Sequence, residues 1–124
     1  MSHYASEKEI ENLVRAFESC EIGKHEFKHR QHLAVAVWYV QKVGPEAALD
    51  RMRSGLLRFL DHHDVDRGKY SEEVTVFWIE RIVERLEALD ANVSLVERCN
   101  RVVASLTESE VMERGAKAVR NAQR

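Results

Sequence analysis

The chain is poor in residues that interrupt or cross-link a fold: 124 residues hold one proline, five glycines and two cysteines. Cys20 and Cys99 allow at most one disulfide. Each falls near the apolar face of an expected helix, where a reduced thiol behaves as a small hydrophobe, so structural thiols are expected. No CxxC pair or Cys/His cluster is present, which argues against a thiolate zinc site. The scattered glycines form neither GxGxxG nor a Walker pattern, so nucleotide-binding folds are disfavoured. Without a GxSxG elbow or a cysteine set beside a histidine, a nucleophilic hydrolase has no visible nucleophile. No apolar run approaches the roughly 20 residues of a membrane span. The start, Met-Ser-His-Tyr, lacks a positive region followed by an apolar one. A cytoplasmic protein with no membrane partner is expected. Neither sign of charge dominates, with 19 Lys and Arg against 21 Asp and Glu and a net charge of -2. Lacking a basic excess, the chain is not expected to bind nucleic acid.

What the sequence does have is helical periodicity. With 44% hydrophobic residues, it can build one core, and a single domain over residues 1–124 is expected. Apolar residues recur at spacings of three and four, which predicts an all-α fold, an orthogonal or bundle-like array of about six helices. The first is expected from about Ser6 to Cys20, opened by a Ser6/Glu9 capping box and burying Ile10, Leu13, Val14 and Phe17. The second, about His29 to Val43, is apolar on almost every side from Leu33 to Val40, the pattern of a central helix or of a dimer seam. The third starts at Pro45 and packs Ala48, Met52, Leu56, Phe59, Leu60 and His63 on one stripe. After a polar loop from Asp64 to Lys69, the fourth runs from the N-cap Ser71 to about Leu89. The fifth and sixth open at Ser94/Glu97 and Thr107/Glu110.

The candidates for chemistry fall at the starts of the second and fourth helices. His29 shares a helical stripe with Leu33, Ala36 and Val40, and His32 lies at its edge, so both rings are predicted to face inward. In the fourth helix Glu72 and Thr75 project with Ile79 and Leu86 toward the core, while Glu73 projects outward. The dipole at a helix start favours a carboxylate and pushes a histidine toward the neutral form that binds metal or accepts a proton.

The two segments also resemble, from about Phe27 to Arg85, a family of small, functionally uncharacterised bacterial helical proteins. Its signatures are Phe-x-His-Arg-x-His-Leu and, some forty residues on, Tyr-His-Glu-Thr-x-Thr. The first is intact at Phe27, His29, Arg30, His32 and Leu33. The second is kept at Tyr70, Glu72 and Thr75, whereas Ser71 replaces its histidine and Glu73 its first threonine. The resemblance implies a helical fold and names no reaction; Ser71 would mark a lost activity if the missing histidine served as ligand or base.

From these residues the leading expectation is a polar pocket that binds a small molecule or a metal ion. In a catalytic version Glu72 or His29 is the general base, with His32, Tyr70, Thr75 and Arg30 contacting the ligand. In a metal version His29, His32 and Glu72 hold a divalent ion as two imidazoles and one carboxylate. The competing expectation is a non-catalytic interaction protein or homodimer in which the histidines hydrogen-bond and tie helix ends together. A di-iron bundle is rejected, since Glu26 with His29 is the one Glu-x-x-His element. His63-Asp64 resembles the HD dipeptide of helical phosphohydrolases, but it reads more simply as a helix C-terminus, where the dipole favours charged histidine. Trp38, Trp78 and most arginines read as core aromatics and solvated charge.

Overall fold

A computed structural model describes residues 4–107. Among them are five α-helices, α1 (Glu7–Glu18), α2 (His29–Val43), α3 (Pro45–His62), α4 (Glu72–Glu87) and α5 (Leu95–Leu106), a 3-10 turn at Arg67–Lys69, and no strand. The all-α expectation is met; the sixth helix expected from Thr107 lies outside the described residues.

Each start follows local chemistry. Ser6, Ser71 and Ser94 accept hydrogen bonds on Oγ from the backbone N–H groups of Glu9, Val74 and Glu97, which have no carbonyl partner inside their helices. The expected Ser6/Glu9 box is shifted by one residue, because the Glu9 carboxylate accepts from the N–H of Ala5 at 2.6 Å. Helix α2 opens on Lys28, whose N–H donates to Gln31 Oε1 at 3.0 Å. Gly44, at φ 87°, reverses the chain in one residue, and Pro45 starts α3 at once.

Two of the three helices that end earlier than periodicity predicts do so for one reason. Cys20 and Asp64 adopt left-handed φ of 62° and 55°. Around each, two N–H groups turn back onto the last helical turn. Those of Glu21 and Cys20 donate to Ala16 and Phe17, and those of Val65 and Asp64 to Leu60 and Asp61. These are Schellman closures without glycine, which a search for a C-terminal Gly passes over. Thus Cys20 and His63 fall outside α1 and α3; α4 also stops short of Leu89, at Glu87, without such a closure, its C-cap Ala88 having an ordinary φ of -79°.

Helix α2 packs against all four of the others. Leu33 to Val37 and Tyr39 are buried, joined by Ile10 and Phe17 of α1, Met52 and Phe59 of α3, Ile79 and Ile82 of α4, and Val102 and Leu106 of α5. Close approach of α1 and α3 is set by Gly55: a Cβ there would stand 2.5 Å from the Phe17 ring. The segment before α1 is fastened to α5 by a reciprocal pair, Tyr4 N–H to Asn100 Oδ1 and Asn100 Nδ2 to Tyr4 O, both 2.9 Å. The outer face of α2 carries no extended apolar patch. Trp38 is half-buried beneath the Lys42 ammonium, and Val43, 41% exposed, is the one exposed large hydrophobic among the described residues. No helix among them is long and apolar enough to cross a membrane.

Candidate functional site

A cavity of about 970 Å³, open on one side, lies between the start of α2, the second half of α3 and the start of α4. Its wall is mostly apolar, with Phe27, Met52, Leu56, Phe59, Val74 and Trp78 prominent. Of the residues singled out from the sequence, it gathers His29, His32, Tyr70 and Thr75. Both histidines are held by rings. His29 meets Trp78 edge-on at 4.6 Å between centroids, and His32 stacks on Phe27 at 4.2 Å. Phe27 is itself layered on Phe17 at 4.7 Å and tilted against Phe59 at 5.2 Å. A helix start that would otherwise be solvated is thereby lined with hydrocarbon.

That environment sets the charge state. Desolvation draws the His29 pKa down, and it draws His32 to about 4, aided by the neighbouring His29 and opposed by a hydrogen bond between the His32 ring and the Phe27 backbone. Both imidazoles are neutral at pH 7. His29 Nε2 is buried without any hydrogen-bond partner, a state that costs about 1–3 kcal/mol.

Glu72 is not brought to the histidines. The inward projection expected for it is overruled by Arg53, which grips both carboxylate oxygens, with Nε at 2.9 Å from Oε1 and Nη2 on Oε2. Tyr70 donates its hydroxyl to Oε1 at 2.6 Å. The Arg53 and Tyr70 bonds hold the Glu72 carboxyl down at about 2, so it is a poor proton acceptor. Glu72 lies exposed, outside the cavity lining. The metal set His29, His32 and Glu72 is therefore not assembled, and no group of three or more His, Cys, Asp or Glu is placed to hold a metal ion among the described residues.

Arg30 also stands apart. Its charge acts on Tyr4 and Cys99, on the α5 side, and it is absent from the cavity wall, so the expected ligand contact is not formed there. Thr75 lines the cavity but donates its hydroxyl back to Ser71 O at 2.9 Å. Ser71 is in the wall as well as capping α4. His63 ties α3 to the α1–α2 connection through Nε2 and Ile22 O at 3.1 Å, with its ring on Phe59. Both cysteines are buried and free.

Two features had no visible signal in the sequence. Arg53 looks like one of many surface arginines, and its bond to Glu72 joins residues far apart in the chain. A smaller polar recess of about 510 Å³ is lined by Glu18, Tyr39, Arg51 and Arg58 among others. Within it Tyr39 donates to Glu18 at 2.6 Å, and Arg58 donates to the Glu18 carbonyl at 3.1 Å. By sequence Tyr39 reads as part of the apolar run from Leu33 to Val40. Comparison with protein-family models, with curated proteins and with solved structures found no match.

Proposed function

We propose that the protein binds a small organic molecule in the cavity between α2, α3 and α4, with His29 as the polar anchor. The observation that carries this reading is the buried, unpartnered Nε2 of a neutral imidazole in the wall of a cavity large enough for a small ligand. Nε2 itself is closed off from the open space as the side chains stand, so a ligand donor or acceptor reaches it on a turn of the His29 ring and then relieves the desolvation penalty that the protein alone leaves in place. His32, neutral and stacked, shapes the wall beside it. If a proton is moved, His29 takes it, since Glu72 is committed to Arg53.

The same reading takes the chain as one cytoplasmic domain, a bundle-like array of about six helices. Support for its likeness to the bacterial family rests on the spaced signatures, of which Phe27, His29, His32, Tyr70 and Thr75 share the cavity. Imidazole NMR signals provide the test. Titration with a neutral aromatic probe such as 1-naphthamide should move the His29 and His32 ring signals and leave His62, which is outside the lining, in place. Motionless His29 and His32 signals at saturating probe would sink the reading.

A further inference from the structure

We infer that the cavity is built for an organic anion, a carboxylate on an apolar body. This rests on the binding role just proposed and specifies its ligand. In a protein with 21 acidic residues, no Asp or Glu is among the described residues lining the cavity, whereas Lys24 and Lys69 are. Both lysines are exposed, and so stand at the rim rather than in the apolar depth. Two carboxylates adjoin the lining: Glu72 is neutralised by the two-pronged Arg53 contact, and Glu26, between His25 and Phe27, turns its Oε1 back to the Gly23 N–H. Three facts about the wall thus agree: an apolar interior, the uncharged imidazoles of His29 and His32 within it, and two lysines at the mouth that form no ion pair among the described residues. A cationic ligand would meet only like charge there. A carboxylate would keep its head near the ammonium groups and its solvating water while the hydrocarbon enters among Phe27, Phe59 and Trp78. Ser71, whose Oγ accepts in the N-cap bond, donates its O–H to no group among the described residues and can offer it to a ligand.

Isothermal titration calorimetry of the full chain with three probes of one shape, 1-naphthoate, 1-naphthamide and 1-naphthylmethylammonium, tests the inference. The expected order is anion, then amide, then cation, with naphthoate ahead of naphthamide by about tenfold at low salt and less at high salt, as Coulomb attraction at an exposed rim requires. Reversing the rim with Lys24→Glu and Lys69→Glu together should abolish the advantage of naphthoate over naphthamide, both measured on that same variant. Equal affinities for naphthoate and naphthamide, or a preference for the cation, overturn the anion inference and leave the binding cavity standing. Failure of all three probes overturns both.

Discussion

Two polar clusters lie side by side at the start of α4 and differ in one respect. Arg53, Glu72 and Tyr70 are charged or strongly polar, exposed or half-buried, and each satisfies another. His29 and His32 are neutral, set among aromatic rings, and His29 keeps an atom with no partner at all. Tyr70 belongs to both, since its ring lines the cavity while its hydroxyl is held by Glu72. Partner supply separates the roles. A cluster whose groups satisfy one another has little left to offer a ligand, and one that is left wanting does.

The comparison is tested most severely at the aromatic layer beneath the histidines. Phe27→Ala removes a ring that is 5% exposed and contacts Phe17, His32 and Phe59. Destabilisation of about 3–4 kcal/mol is expected by denaturant titration. The His32 pKa should climb from about 4 toward 6.5 as water reaches the ring, read from its NMR titration. An unmoved His32 pKa would mean that the ring layer does not set its charge state.

Acid separates the clusters by window. Folded His32 titrates near 4 against an ordinary 6.5. Between those values the unfolded chain takes up a proton that the folded one refuses, so this stability is complete above pH 6.5 and is lost as pH falls to about 4. The loss is on the order of 3 kcal/mol, with His29 adding in the same direction. Glu72, at about 2 against 4.5, contributes stability that is complete above pH 4.5 and lost only below it. Denaturant midpoints between pH 7 and 4.5 should therefore fall in wild type and hold flatter in His32→Phe, while Glu72→Gln leaves that slope alone.

Replacing the wanting atom is a milder intervention. His29→Phe keeps an aromatic against Trp78 and removes the unpartnered nitrogen, so stability should rise by about 1 kcal/mol while naphthamide binding weakens. A fall in stability would show that His29 is a structural tie. The smallest effect belongs to the exposed ion pair. Double-mutant coupling between Arg53→Ala and Glu72→Gln should be weak and should shrink with added salt, because solvent screens both charges.

Much of the fold was legible because α-helices announce themselves by period and cap: Ser6, Ser71, Ser94 and Pro45 mark starts that the structure keeps. Ends were less legible, since Cys20 and Asp64 close their helices in a conformation that glycine usually signals. At the site, the inward stripe of His29 and His32 and the inward side of Thr75 could be read from helical projection, and Tyr70 from the spaced signature. The fate of Glu72 could not. A projection gives a side chain's starting direction, and a long carboxylate can swing to an arginine on another helix, here Arg53 of α3. The rim lysines were equally hidden, because Lys24 precedes α2 and Lys69 follows α3, and only the fold makes them neighbours of one opening.

The packing of α2 against four other helices has a consequence for biosynthesis. This most apolar helix leaves the ribosome before either α4 or α5, which cover two of its faces, has been made. At translation speeds of about 5–20 residues per second, the stretch Leu33 to Val37 waits for seconds beside only α1 and α3. A nascent chain halted before Ser71 would display that stretch to any chaperone at the exit tunnel, and one released after Leu106 would have its cover.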